Sequence, residues 1–344
     1  MTAWELAESF MTNRQITDDS KTLGCVLKAL HTAKITHADT GFKGTQLKAT
    51  LKLDGEQLAV FKPKWYNRDY IMVGTPYAGK DRHNAEIAAF HLNRIIGLHR
   101  VPIVVGRVID MESEIRSVAH RNLLQTFYYK DGNTCFYGKC YYCKGPDTGV
   151  CGTGTDMEGS VTFWLPDSYR LSKPEPHPWR RTYRDNKPAP WEHEKNYCQR
   201  VRATRPYESR QRLLDLIDIA IFDFLAGNAD RHHYETFEYS KDSAVIALDN
   251  GKSFGNPYND EMTILAPLYQ CCMVRKSIYI RLTELSGDII GQILYNVLAD
   301  EPLRPVLTSH HYTAVDRRLA KVLQVITECQ SASNQAEVVI DDLE

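Results

Sequence analysis

The chain has 344 residues, 43% hydrophobic and 25% charged, which is the balance of a soluble globular protein and excludes intrinsic disorder. Its 42 basic and 43 acidic residues leave a formal charge of −1, so no net electrostatic drive toward nucleic acid or an anionic membrane exists. No apolar run reaches the roughly 18 residues of a membrane-spanning helix, Met1-Thr-Ala-Trp4 does not read as a signal peptide, and neither repeats nor low-complexity tracts occur.

In chain order, Cys25 falls in an apolar helical stretch and is expected to be a free, buried thiol. Gly41-Phe-Lys-Gly44-Thr45-Gln46 could lie over phosphates, although it is not the G-x-G-x-x-G of protein kinases. Leu47, Ala49, Leu51 and Leu53 alternate with polar residues as in a half-buried strand. Asp54-Gly55 then signals a hairpin, and Leu58 to Lys62 returns. Ala59-Val-Phe-Lys62 stands where a protein kinase sets the strand lysine that holds the α and β phosphates. A helix follows, with Asp81 as expected N-cap and Gly97 just past its end. Its apolar stripe runs through Ala85, Ala88, Ala89, Leu92, Ile95 and Ile96, and Glu86 lies beside that stripe, able to point inward at Lys62. An inward Glu fixing a strand Lys is the ion pair of active kinases. An exposed Glu on an amphipathic helix is the plainer alternative.

Four cysteines crowd into Cys135, Cys140, Cys143 and Cys151. Cys271 and Cys272 are adjacent, while Cys198 and Cys329 stand apart. A four-thiolate zinc site at 135–151 is one reading, given its C-x-x-C step. Disulfides are favoured, because neighbouring cysteines each need a distant partner. That is secretory chemistry, and it implies that a targeting segment preceded this sequence.

Leu213 to Leu225 reads as a buried helix leading through Gly227-Asn228 into Asp230-Arg-His-His-Tyr-Glu235. Ser243 to Leu248 reads as a short buried strand delivering Asp249 into a turn at Asn250-Gly251. Three acids in this order match a kinase's catalytic-loop Asp, a metal-holding residue five later, and a D-x-G metal ligand. Each alone could cap a turn; their order carries the reading. Helical patterns at Ile278–Leu298 and Ala314–Ile326 fill the second half, and residues 331–344 read as a solvated, disordered acidic tail.

With these pieces placed, the chain resembles the Fam20 family of secretory-pathway kinases from about Gly41 to Cys329. The resemblance rests on Lys43-Gly-Thr-Gln46, Phe61-Lys-Pro63, the stretch from Arg82 to Leu92, Cys135-Phe-Tyr-Gly138, the stretch from Asp230 to Glu235, and Leu268-Tyr-Gln-Cys-Cys272. Within the family it is most similar to the glycosaminoglycan xylosylkinase branch, through Met157 to Pro166, His177-Pro-Trp179, Arg181-Thr-Tyr-Arg184 and Lys252 to Pro257. The resemblance implies an α+β, atypical protein-kinase-like fold of two lobes, stapled by disulfides. A small β-rich N-lobe (1–160) would precede a helical C-lobe (161–330). It implies Asp230 as catalytic base, with nucleotide contacts from Gln46, Lys62, Glu86, Glu235 and Asp249. Thr162, Phe163, Trp164 and Leu165 would form the hinge beside adenine. Glu86 and Asp249 would bind manganese, with magnesium the alternative, and ATP would be the cosubstrate. The family's pseudokinase member has Gln where Glu86 stands, so Glu86 favours an active enzyme.

The implied disulfides are Cys135–Cys151, Cys140–Cys143, Cys198 with one of Cys271 and Cys272, and the other with Cys329. Cys198–Cys271 and Cys272–Cys329 is the expected arrangement. The implied reaction is phosphate transfer to the 2-hydroxyl of xylose in the galactosyl-xylose linkage glycan of proteoglycans, in the Golgi lumen, with no nucleic-acid or membrane partner. Trp179, Tyr183 and Trp191 are candidate sugar platforms, flat rings suiting a pyranose, with core packing as the plainer reading. The alternatives are a secreted Ser/Thr kinase for acidic motifs, a nucleotide-binding pseudokinase activator, and a purely structural disulfide-rich module.

Overall fold

The computed structural model describes residues 1–41, 44–184, 186–240, 242–332 and 338–342. α1 (Ala3–Ser9) opens on a capping box between Thr2 and Glu5. α2 (Leu23–Thr32) buries Leu23, Val26 and Leu30, and this turns Cys25 outward. Cys25 is therefore free but exposed, contrary to the expected burial: the helical period, not the local apolarity, decides its face.

The alternation of Ala49, Leu51 and Leu53 with Thr50 and Lys52 builds β2 (Ala49–Leu53), which pairs with β1 (Ile35–Thr40) and, across the Asp54-Gly55 hairpin, with β3 (Leu58–Pro63). Then come α3 (His83–Ile95), β4 (Val104–Asp110), α4 (Arg121–Leu124), β5 (Phe127–Lys130), β6 (Asn133–Phe136), β7 (Val150–Cys151) and β8 (Asp156–Phe163). The main sheet is antiparallel in the order β1-β2-β3-β8-β4, and β5-β6-β7 form a smaller one. The lobe boundary expected at residue 160 thus falls inside β8, whose last sheet residue is Phe163. α3 is buried on nearly every side rather than along one stripe. The second half of the chain covers its outer face: His91 meets Glu301 at 2.7 Å, and Asn84 Nδ2 donates to Val306 O at 3.0 Å.

That second half holds β9 (Glu175–Pro176), α5 (Tyr197–Arg202), α6 (Arg210–Ala226), β10 (His233–Tyr234), α7 (Ala266–Cys271), β11 (Val274–Arg275), α8 (Lys276–Glu284), α9 (Ile289–Leu298), α10 (Ser309–Ala332) and β12 (Val339–Ile340). α6 is its axis, buried without interruption from Leu213 to Ala226. The acids on α6 are paired. Asp215 meets Arg14 (2.5 Å) and Arg275 (2.8 Å), and Asp218 meets Arg275 (2.8 Å).

Three expectations are corrected here. Ser243–Leu248 is buried but not a strand. Its donors go to three different segments (Ala244 to Asn13 O, Ile246 to Glu235 O, Ala247 to Arg100 O), so no ladder forms. Ile278–Leu298 is two helices, broken where Gly287 and Asp288 take positive φ (75° and 65°). The tail is not wholly solvated: α10 runs to Ala332, Val338 and Ile340 are buried, and β12 pairs in parallel with β11. The apolar Val338-Val-Ile340 run outweighs the acids behind it. Residues 333–337, 343 and 344 lie outside the described residues.

All four expected disulfides form: Cys135–Cys151, Cys140–Cys143, Cys198–Cys271 and Cys272–Cys329. The zinc alternative is thereby overturned, its four thiolates being consumed in two of these bonds. Replacing Cys198 and Cys271 with Ser should lower stability by about 2–5 kcal/mol, since the bond closes a long loop. Chemical denaturation under non-reducing conditions measures it; unchanged stability would contradict the assigned staple.

Candidate active site

A cleft of about 510 Å³ opens between the sheet and the helical half. Val60, Val104, Leu171 and Leu248 supply apolar walls, Thr162, Phe163, Trp164 and Leu165 run along one side, and Lys48, Lys62, Glu86 and Asp249 supply charge. The hinge segment expected at 162–165 is therefore a wall of this cavity.

Lys62 is the hub. Its position near the end of β3 turns its ammonium to Glu86 Oε1 (2.5 Å), Asp249 Oδ1 (3.0 Å) and Asp81 Oδ2 (3.1 Å). Asp81 is not the helix N-cap, a place held by Arg82 without a side-chain bond; it is the third carboxylate of this cluster. Gly251 makes the approach possible, because a Cβ there would sit 2.6 Å from Asp81 Cβ. The turn locks onto Glu86 as well, Asn250 N–H donating to Glu86 Oε2 at 3.2 Å. Asp249 itself is left-handed (φ 52°), a conformation that Asp tolerates better than most residues.

The electrostatics follow from three acids around one buried base. Burial pushes Lys62 down, but Glu86, Asp249 and Asp81 outweigh it and hold the ammonium well above its ordinary value. Lys62 in turn holds the Asp249 carboxyl far below the usual carboxylate range. Burial raises Glu86, with Lys62 opposing. The Asp249 side chain is 74% exposed, against 5% for Glu86 and 11% for Asp81, so Asp249 is the member that opens to the cleft. Carboxylate oxygens of all three lie within 4.8 Å of one another. An all-oxygen set with excess negative charge fits a hard divalent cation.

The catalytic loop is positioned by the end of α6. Gly227 is left-handed (φ 73°), and Asn228 N–H and Gly227 N–H close back on Asp223 O (2.7 Å) and Phe224 O (3.1 Å). Asn228 Oδ1 then accepts from Asp230 N–H at 3.1 Å. Arg231 is the loop's anchor, pairing with Asp223 (2.8 and 2.9 Å) and donating to Asn250 Oδ1 (2.7 Å). The same guanidinium thus ties the Asp230 loop to the Asp249 turn. Burial raises Asp230, opposed by a hydrogen bond from Tyr183, whose hydroxyl donates to Asp230 Oδ1 at 2.6 Å, and by Lys252. Glu235 is pushed up to about 7 by burial, against the pull of Arg231.

Gln46 and Glu235 stand outside the cavity walls, and Lys48 lines them instead; Phe42 and Lys43 lie outside the described residues. Trp179 and Trp191 are buried, their indoles donating to Gln270 Oε1 (2.7 Å) and Arg180 O (2.9 Å), so they are core residues and not sugar platforms. Tyr183 alone of the three faces the catalytic loop. Asp81, Lys48 and Lys252 were missed. A capping residue explained Asp81 fully at sequence level, and lysines next to strands or turns are ordinarily solvated.

The family profile described as Golgi casein kinase, C-terminal, Fam20 matches residues 2–338. The chain belongs to the Fam20 family. It is 51% identical to human glycosaminoglycan xylosylkinase over 341 residues, covering 98% of this chain and 83% of that protein. The Fam20 fold is the two-lobed kinase type expected. Hydra Fam20, solved with sugar, superposes with a TM-score of 0.96 at 49% identity over 99% of both chains. The Golgi casein kinase with Mn/ADP bound gives 0.94 at 36% identity, over 99% of this chain and 84% of that one.

For this Fam20 chain, Asp249→Ala should remove most of the stabilisation by ATP plus Mn²⁺, about 2.7 kcal/mol for wild type at about a hundred times Kd. Thermal-shift titration reads it, and an undiminished shift would take Asp249 out of the metal site.

Proposed function

We propose that this chain transfers the γ-phosphate of ATP to the 2-hydroxyl of xylose in the galactosyl-xylose linkage region of proteoglycans, in the Golgi lumen. The observation that carries phosphotransfer is the closed Lys62–Glu86 pair at 2.5 Å with Asp249 on the same ammonium, the arrangement an active kinase needs. The acceptor is supported by the 51% identity to the human xylosylkinase and by the sugar-bound hydra relative. The four disulfides agree with a secretory-pathway protein.

The apolar walls at Val60, Val104 and Leu248 take the adenine, and Lys62 and Lys48 face the phosphates. Asp249, Glu86 and Asp81 would hold Mn²⁺, which when bound neutralises charge on the phosphates. Asp230 accepts the proton of the attacking hydroxyl. Tyr183 holds one of its oxygens and so fixes its orientation. The Lys252 ammonium, partly desolvated and interacting with both Asp81 and Asp230, opposes the rise that burial imposes on Asp230.

The segment after Asp249 is already clamped. Arg82 donates to Ser253 O (3.0 and 3.1 Å), Arg318 to Asn256 O (3.0 Å) and Asn259 O (2.9 Å), and Ser253 is fully buried. Phosphorylation activates ordinary kinases by ordering such a segment, and here that order exists without it.

ATP and Mn²⁺ with galactosyl-xylose should give a product phosphorylated on xylose O2, read by phosphosugar analysis, and far less transfer to an acidic casein-like peptide. The reverse preference would overturn the acceptor assignment. Asp230→Asn should reduce turnover by on the order of 10² to 10⁴ while the fold is kept; near-normal turnover would exclude it as base. Phosphatase treatment, or Ser253→Ala with Thr263→Ala, should leave turnover within a few-fold. Loss on dephosphorylation, regained on rephosphorylation, would show a switch.

A further inference from the structure

Outside the nucleotide cleft lies a second, larger groove of about 950 Å³, formed by residues 176–184 and 187–190 against α5. Its inner end is Tyr183 and His232. Tyr183 donates to Asp230 Oδ1 at 2.6 Å, and His232 Nδ1 lies 2.6 Å from Asp230 O, so the groove begins at the catalytic base. Its walls carry Arg180, Arg181, Arg184, Lys187 and Arg200, and among the described residues no Asp or Glu lines it. Arg200 is paired with Glu194 (3.1 Å) and Arg181 faces Glu261 (3.7 Å). Arg180, Arg184 and Lys187 are exposed and have no carboxylate partner among the described residues. In a chain of net charge −1, such a run of cations in one groove is a local excess.

We propose that this groove binds an acidic peptide stretch flanking the glycosylated serine of the acceptor. The inference rests on the xylose-acceptor reading above and names what that site recognises beyond the sugar. The chemistry of the acceptor places the peptide there. Serine is joined at xylose C1, the carbon bonded to C2, so with the 2-hydroxyl at Asp230 the polypeptide leaves within a few bonds of the reacting oxygen. It needs a surface beginning at Asp230, and this groove is one. The groove has rings in its lining, Tyr183, Tyr197 and Tyr207, but its cations outnumber them at five, and the guanidinium and ammonium groups without a carboxylate partner among the described residues suit carboxylates.

The test uses the whole chain with three acceptors: galactosyl-xyloside bearing a small neutral aglycone, galactosyl-xylosyl serine in a peptide with Asp and Glu flanks, and the same glycopeptide with Asn and Gln flanks. Wild type should show a lower KM for the acidic glycopeptide than for the neutral one, a difference that shrinks with added salt. The triple variant Arg180→Gln, Arg184→Gln, Lys187→Gln should keep wild-type kcat and KM on the small xyloside. It should raise KM for the acidic glycopeptide about tenfold, the scale of three modest ion pairs, and abolish the preference for acidic flanks. All three side chains are exposed, and an unchanged melting temperature confirms folding. Equal KM for the two glycopeptides in wild type, or a preference that survives in the triple variant, would overturn the proposal. A cation effect that instead appears only with a uronate-extended glycan on the small aglycone would also overturn it, assigning the groove to anionic sugar. No turnover of the small xyloside by wild type would overturn the xylose reading itself, a different failure.

Discussion

One buried ammonium organises this protein. Lys62 is 7% exposed at its side chain and is shared by three carboxylates from three places in the chain: the loop before α3, α3 itself and the turn after the buried 243–248 segment. A buried cation is tolerable only when neutralised, and the two enclosed carboxylates, Glu86 and Asp81, are tolerable only beside a cation. Each therefore fixes the others. β3 must present Lys62 inward, α3 must be enclosed on the face carrying Glu86, and the Asp249 turn must close on both. The surplus of acid that remains is what makes the cluster a site rather than a structural salt bridge.

The second fixed point is Arg231, which spans from α6, through Asp223, to Asn250 and so sets the Asp230 loop against the Asp249 turn. Sheet, helix and loop are thus joined at charged nodes. The apolar core supplies the bulk of the stability, while Lys62 and Arg231 decide the relative placement of the reacting groups. Tyr183 extends that ordering outward, its hydroxyl donating to Asp230 and its ring packed edge-on against Tyr77 (4.6 Å between ring centres).

Much of this was legible in the sequence. Period-two alternation gave β2, the Asp54-Gly55 hairpin signal gave β3, continuous apolarity gave α6, and the order of Lys62, Glu86, Asp230 and Asp249 gave the chemistry, because these signals are local or depend on chain order. What stayed hidden depends on partners far along the chain. Asp81 looks complete as a cap until Gly251 brings a second segment against it. The 243–248 segment has a strand's composition, yet it is denied a ladder by the three unrelated segments that accept its hydrogen bonds. Trp179 and Trp191 cannot be told from surface rings without knowing that Gln270 and Arg180 satisfy their indoles. Net charge misled in the same way: a total of −1 is silent about cations gathered beside Asp230.

The two long-range disulfide loops are joined by one peptide bond, that between Cys271 and Cys272. The chain from Cys198 to Cys329 is therefore two covalent rings tethered by a single bond, and Asp230, Glu235 and Asp249 all lie on the first of them. A protease cut in an exposed loop of either ring, such as the turn before α6, opens a ring without releasing a piece. In a lumen or extracellular space where proteases are met and chaperones are few, the catalytic half is a molecule that can be nicked and still remain in one piece.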